Sequence, residues 1–425
     1  MFFELRKYQM DALQFAYRQR RVAMWLPMGL GKTLTTLATI DADPSMLPAL
    51  LVGPKRVVEH VWSAELAKWG FQQSIAIVSG SPAKKRKAIA AGADITCISA
   101  DSLKYAIGGP WRTIILDEAT LFKNPKSARW KAAKQLAEAD NIITLTGSPT
   151  SGAGLADLWG QIDLLFPGGT NPLGTYWQFL QRHFSFDHFN RPHPRRGAEE
   201  RVAEIIRPWV FQRTLDEIAM PGITTVDVAC PMTAAQQTAM SESELSESGA
   251  FVEQRQIASG FRYDQHWSGT VDTEWIAETK VAAMHEIRLE TGKDSLLVLC
   301  NFRAEVDRLR DEFNAEVIDG RTSGKSDGET ITRWNRGEIP MLVGNCAAMS
   351  HGLNLQSGGH RVIWFSLPVS QEIYDQAVAR LWRSGQENAV IVHRLIANDS
   401  IDQKIAKLLD RKMLSQAALL QAVGC

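Results

Sequence analysis

The 425-residue chain has no excess of either charge: 47 lysines and arginines face 47 aspartates and glutamates. A balanced chain has no global field to gather polyanions, so any nucleic-acid surface must be a local patch. Its five cysteines, Cys97, Cys230, Cys300, Cys346 and Cys425, contain no C-x-x-C pair. That scatter excludes a disulfide framework and a cysteine zinc site, and the residues read as reduced thiols. No apolar stretch approaches the ~20 residues that span a bilayer. The opening MFFELRKYQMDAL carries charges where a signal peptide has its apolar core, so a cytoplasmic protein is expected. Neither a solenoid-period repeat nor a long low-complexity tract occurs.

What the chain does have is an ordinary globular balance, 45% hydrophobic and 22% charged, over a length that suits two cores rather than one. Short aliphatic runs recur through the first half: 22–26, 49–53, 74–79, 95–99, 113–117 and 142–146. Helical patterns separate them. Val58, Val61, Trp62, Leu66 and Trp69, for example, recur at helical spacing before a Gly70 stop. Strands without strict alternation, interleaved with helices, predict an α/β fold built on a doubly wound parallel sheet. A second series, at 295–300, 315–319, 339–344, 360–366 and 389–396, predicts a second such domain. The expected division is a first lobe over 1–228 with a short helical insertion, a connector over 229–279 that includes an acidic stretch free of Lys and Arg, and a second lobe over 280–425.

Between the first strand and a helical run lies GLGKT, residues 29–33. Gly29 and Gly31 allow backbone N–H groups to face a phosphate, Lys32 can neutralise the β and γ phosphates, and the Thr33 hydroxyl can ligate Mg²⁺. Leu26 stands where the full phosphate-loop pattern has its first glycine; the bland alternative is a glycine-rich strand-to-helix turn. The run IILDEAT ends a strand in paired carboxylates. Asp117 suits Mg²⁺, directly or through water, and Glu118 suits the attacking water; a merely solvated strand end is the competing reading. Further on, Gln376, Arg380 and Arg383 fall at i, i+4 and i+7 and are expected to share one helical face, from which arginines can stabilise charge on a transferring phosphoryl.

Together these pieces resemble helicase superfamily two, in its Swi/Snf-type branch of ATP-driven DNA translocases, as small bacterial or phage-type members have them. LRKYQMDAL looks like the opening motif, MGLGKT motif I, LVGPKRVVEHVWSAEL motif Ia, ISADSL motif Ib, LDEAT motif II and TLTGSPTSG motif III. KNPKS resembles the branch's Lys-Asn element, and LLVLCNFRAEVDRL, SHGLNLQ and QAVARLWRSGQ resemble motifs IV, V and VI. Thr120 replaces the branch's usual histidine.

The resemblance implies two RecA-like lobes, ATP and Mg²⁺ as ligands, Gln9 as the adenine reader, and DNA, in duplex form, tracked through sequence-independent backbone contacts. Carried over by motif, the contacts are Lys55, Arg56, Ser99, Arg303 and Asn354. Two basic stretches, KKRK at 84–87 and the arginine-rich 191–213, read either as further DNA contacts or as solvated faces. Of the 13 tryptophans, Trp25, Trp159 and Trp364 read as core, while Trp62 and Trp382 lie beside motifs where exposure is plausible. The expected activity is a DNA-stimulated ATPase moving along duplex DNA. The rivals are a strand-separating helicase and, in another class, a nucleotide-gated DNA clamp without significant hydrolysis.

Overall fold

Each predicted aliphatic run becomes a strand in the computed structural model, which describes residues 4–150, 154–213, 220–244, 250–265, 271–321, 324–349, 353–383 and 385–424. In chain order the strands are β1 (Arg21–Trp25), β2 (Ala49–Gly53), β3 (Ile75–Val78), β4 (Ile95–Ser99), β5 (Thr113–Asp117), β6 (Asn141–Thr146), β7 (Phe184–Phe186), β8 (Pro192–Pro194) and β9 (Val210–Gln212). They continue as β10 (Ile223–Cys230), β11 (Phe261–Gln265), β12 (Val271–Trp275), β13 (Leu296–Cys300), β14 (Glu316–Ile318), β15 (Met341–Asn345), β16 (Arg361–Trp364) and β17 (Val390–Ala397).

The chain forms two compact units, Met1–Glu217 with Lys412–Cys425, and Ile218–Arg411. In the first, a seven-stranded sheet runs β3-β4-β2-β5-β6-β1-β9, and every pairing in it is parallel. Strands β2, β5 and β6 are buried along their whole length, as strands covered by helices on both faces must be. One apolar cluster, with Trp25, Leu50, Ile114 and Phe122, fills one side, and another, with Met24, Leu51, Ile115 and Trp62, fills the other. In the second unit a six-stranded parallel sheet runs β10-β17-β16-β13-β15-β14, again between two clusters.

This division differs from the expected one. Residues 223–230 form an eight-residue edge strand of the second sheet, pairing along all of β17. The sequence disguised it because all but its last residue are at least partly exposed, so the strand lacks an apolar run. The stretch expected as connector is ordered within the second unit, as two helices, Ala234–Glu244 and Ala250–Ser259, and the β11-β12 hairpin. Conversely, 412–425 belongs to the first unit, where Leu419 and Val423 are core residues.

Candidate nucleotide and nucleic-acid sites

Strand order decides which loops meet. In the first unit β5, β6 and β1 are neighbours, so the segments leaving their carboxyl ends converge, which is where open α/β sheets bind ligands. Those segments are the phosphate loop after β1, the carboxylate pair after β5 and Gly147-Ser148 after β6.

Gly31 caps the helix Lys32–Ala42 in a left-handed conformation, φ 72°, a position that disfavours any side chain. A Cβ there would also lie 2.5 Å from Gln9 Nε2. Gly29 has φ 84°. Lys32 Nζ donates to the Leu26 carbonyl at 2.8 Å, so the loop folds around its own lysine with Leu26 as the anchor. A Cβ on Gly147 would come within 3.4 Å of both groups, which brings the segment after β6 against the lysine.

Gln9 is buried, and both ends of its amide are engaged. Its Oε1 accepts from Arg6 N–H at 2.9 Å and its Nε2 contacts the Leu30 carbonyl at 3.4 Å. The Tyr8 hydroxyl donates to the same carbonyl at 3.0 Å. Gln9 therefore ties the first helix to the phosphate loop, a job the adenine-reading expectation did not include.

Asp117 is buried at the end of β5, where desolvation raises its carboxyl pKa above the usual range. Trp62 Nε1–H at 2.9 Å and the Glu118 N–H at 3.1 Å donate to it, and the Lys32 charge also favours its anion. Trp62 is thus a buried hydrogen-bond donor, and the expectation of an exposed role is corrected: β2 lies beside β5, so the helix after β2 carries its indole directly onto the carboxylate. Glu118 follows in a left-handed conformation, φ 55° and ψ 66°, which is uncommon for a residue with a Cβ and recurs at functional sites. Thr120 is buried in the next turn. The hydroxyl of Thr33 and the carboxylate of Asp117 are hard oxygen donors, and a buried carboxylate is stabilised by a cation, so this corner fits Mg²⁺ held by few protein ligands and by phosphate. Among the described residues no cluster of three or more metal-ligating side chains occurs, and such a magnesium site does not require one.

The other half of the same sheet edge is basic. Gly53 and Ser99 are register partners at the ends of β2 and β4, so Lys55 and Arg56, just past β2, stand beside Ser99. Their helix has one widened turn, Val57–Val61, a local feature often found at functional sites. Ser99 Oγ bonds Ser102 Oγ at 3.1 Å, and Lys85 Nζ donates to Ser102 Oγ at 2.8 Å. Lys85 and Lys104 both lie over the Tyr105 ring, at 5.2 and 5.5 Å. The KKRK helix, Pro82–Ala90, buries none of its residues. Within 191–213, by contrast, Arg195 donates to the Phe184 carbonyl, Arg207 to the Ala422 carbonyl, and Arg213 stacks over Phe211 and meets Asp11. Several of its arginines therefore hold the fold together.

In the second unit Arg303, exposed, opens the helix Arg303–Phe313 after β13. That helix start is pinned by Glu305, whose carboxylate accepts from the Asn301 and Phe302 N–H groups and the Ser366 hydroxyl at 2.8 to 3.0 Å. Burial raises the Glu305 pKa. Asn354 is exposed and its carbonyl accepts from Asn335; residues 350–352 of the same motif lie outside the described residues, as do 151–153 and 384.

The shared helical face of Gln376, Arg380 and Arg383 does not form. The helix Gln371–Val378 stops before both arginines, and tight turns follow, with Leu381 N bonding Val378 O and Arg383 N bonding Leu381 O. Those turns let Leu381 enter the core fully buried and let Trp382 Nε1–H reach the Pro221 carbonyl at 2.8 Å, so Trp382 too has a structural partner. Arg380 is fastened by the Gln376 and Leu353 carbonyls, each at 3.0 Å. Gln376 is buried, and its Oε1 has no hydrogen-bond partner among the described residues.

Family models also divide the chain in two, but between residues 275 and 279 rather than where the two compact units part. Residues 8–275 match the SNF2-related domain and residues 279–385 the helicase conserved C-terminal domain. The protein p41 of Acyrthosiphon pisum secondary endosymbiont phage 1 is 29% identical over 99% of both chains. An uncharacterized ATP-dependent helicase of Mycoplasma pneumoniae is 24% identical over 90% of this chain and 38% of its own. The SWI/SNF-related matrix-associated actin-dependent regulator of chromatin subfamily A-like protein 1 of Xenopus laevis is 25% identical over 98% of this chain and 44% of its own. The chain thus spans less than half the length of these two cellular relatives. Among solved structures, the Sulfolobus solfataricus SWI2/SNF2 ATPase core in complex with dsDNA aligns over 99% of this chain and 93% of that one, with 24% identity and a TM-score of 0.46. The chain belongs to the SNF2-related family of helicase-like ATPases.

Proposed function

We propose that this chain is a DNA-stimulated ATPase whose hydrolysis moves it along duplex DNA. The observation that supports this most is the division of one sheet edge: the loops after β1, β6 and β5 bring together Lys32 and the Asp117-Glu118 pair, while the adjoining loops after β2 and β4 present Lys55, Arg56 and Ser99. A change at the nucleotide loops is therefore one strand away from the phosphodiester contacts.

In this reading the glycine loop's N–H groups and Lys32 hold the β and γ phosphates of ATP, and Glu118 accepts the proton of the attacking water as the γ-phosphoryl leaves ADP. Mg²⁺, when bound, neutralises phosphate charge, and Thr33 and Asp117 are the residues that would hold it. Arg380 and Arg383 stabilise charge on the transferring phosphoryl, and Gln376 supports them from the preceding helix. Gln9 keeps the phosphate loop in place and offers the second lone pair of its carbonyl to adenine. Lys55, Arg56, Ser99, Arg303 and Asn354 follow the DNA backbone, an interaction that needs no base sequence. The cytoplasm is the expected site of action, that of the bacterial host if the chain is phage-encoded.

Lys32→Ala and Glu118→Gln should each abolish turnover by different routes: the first weakens ATP binding, the second retains ATP unhydrolysed. ATPase rates with no nucleic acid, single strands, duplex DNA and RNA test the reading, alongside displacement of a triplex-forming strand. Tracking a backbone needs only phosphate contacts, whereas separating strands must offset about 1.4 kcal/mol of stacking per base-pair step. Duplex DNA should stimulate most and the triplex strand should be displaced without unwinding of a blunt duplex. Stimulation by single strands alone, with robust unwinding, would make the chain a helicase instead; nucleotide-dependent DNA binding without turnover would make it a clamp.

A further inference from the structure

The β7-β8 hairpin of the first unit carries aromatic side chains that the fold leaves outside. Its base is fixed: Phe184 is fully buried against Phe179, and Arg195 donates its Nε–H to the Phe184 carbonyl at 2.8 Å. Its tip is fixed as well. The Asp187 carboxylate accepts from the Phe189 and Arg191 N–H groups, both at 2.9 Å, and meets His193 Nε2 at 3.2 Å. These bonds hold the Asp187 pKa below the usual carboxylate range.

On this hydrogen-bonded support Phe186 is 40% exposed, Phe189 78% and the adjacent Trp177 61%. Trp177 and Phe186 stack on one another at 6.4 Å with their planes 29° apart, and Arg191 lies over the Phe189 ring at 5.4 Å. Packing does not explain rings that face solvent, and Trp177 contrasts with Trp25, Trp62, Trp159 and Trp364, which are buried, and with Trp382, which donates to a backbone carbonyl. The local sequence is basic: from Arg182 to Arg196 four arginines accompany a single acid, Asp187; that acid is committed to the turn and Arg195 to the Phe184 carbonyl, which leaves Arg182, Arg191 and Arg196.

Flat aromatic faces beside guanidinium groups are the chemistry that holds unpaired bases, each ring stacking a base and each cation meeting a phosphate. Inside a duplex the base faces are already covered, so this ledge gains only where a strand is open. We propose that Trp177, Phe186 and Phe189, with Arg191, form a second nucleic-acid site that holds the unpaired bases of a single strand, separate from the backbone contacts at the sheet edge. The choice of nucleic acid as occupant rests on the function proposed above.

The test compares binding of a labelled oligothymidylate, a strand of equal length in which most bases are replaced by abasic residues, and a duplex. Three proteins are measured, all full length and without nucleotide: wild type, the triple variant Trp177→Ala, Phe186→Ala, Phe189→Ala, and Arg191→Ala. Stacking contributes about 1–3 kcal/mol per base, so wild type should prefer the thymidylate over the abasic strand by roughly tenfold or more. The triple variant should lose that preference while still binding the abasic strand and the duplex within about twofold of wild type. Arg191→Ala should weaken both single strands and flatten their salt dependence. Because the substituted rings are exposed, the triple variant should melt where wild type melts.

Three outcomes would overturn the proposal: no wild-type preference for bases, a preference that survives in the triple variant, or equal loss on all three ligands. The second would leave the ledge to a protein partner. Failure of duplex-stimulated ATPase in wild type would sink the translocase reading alone, since the base preference is read without hydrolysis.

Discussion

At the scale of single residues, the Trp62 indole shows how a site depends on a group that does no chemistry. It donates to a carboxylate that desolvation already disfavours as an anion. Trp62→Phe keeps most of the volume and removes the donor, and leaving a buried charged acceptor short of one bond costs about 1–3 kcal/mol. Less support for the anion means a still higher Asp117 pKa, so the acid limb of the ATPase pH profile should move to higher pH, and more magnesium should be needed for half-maximal rate. An unmoved limb with unchanged magnesium dependence would reduce Trp62 to packing. Lys32, Asp117 and Glu118 were legible in the sequence because each sits within a few residues of a strand end that announces it. The Trp62 contact joins residues 55 apart and became visible only once β2 was found beside β5.

At the scale of elements, sequence spacing described strands better than it described where helices stop. The i, i+4, i+7 pattern of Gln376, Arg380 and Arg383 assumed a helix that the burial of Leu381 and the bond from Trp382 to Pro221 interrupt. Strand β10 escaped for the opposite reason, since an edge strand with an exposed face has no apolar run to read. Ties between distant elements were equally silent. Lys280, in the helix Thr279–Thr291, reaches Asp402 at 2.7 Å and the Phe365 carbonyl at 2.9 Å, with both ionic side chains almost wholly buried. Removing one partner of such a pair strands the other charge, at about 3–5 kcal/mol. Lys280→Met should therefore destabilise the second unit strongly. Adding Asp402→Asn, which keeps an acceptor for the Ala397 N–H, should recover much of the loss. Denaturant unfolding of the two variants measures it, and simple additivity would remove the pair from the account of this core.

At the scale of the whole molecule, each unit has its own parallel sheet and its own pair of apolar clusters, yet the chain does not divide into them at one point. The closing helix Ile401–Gly424 contributes Ile405 and Leu409 to a core of the second unit, and Leu419 and Val423 to a core of the first. Arg207 also donates to the Ala422 carbonyl at 2.7 Å, and Ser415 to Glu199 at 3.1 Å. The unit that carries the phosphate loop is thus completed by residues roughly two hundred positions downstream. Sequence reading assigned these residues to the second lobe because nothing in a helical pattern says which sheet its far end meets. Leu419 is fully buried, and a buried Leu→Ala costs about 2–5 kcal/mol. Leu419→Ala should therefore lower the unfolding transition of the first unit. Leu409→Ala, equally buried on the same helix, should lower that of the second. The transitions are told apart by ATP, which raises the melting point only of a unit that binds it, by mass action. In calorimetry with a non-hydrolysable ATP analogue, the peak displaced by Leu419→Ala should be the peak the analogue shifts upward. If instead Leu419→Ala moves the nucleotide-insensitive peak, or moves neither, the end of the helix has no part in the ATP-binding unit, and the first core closes without it.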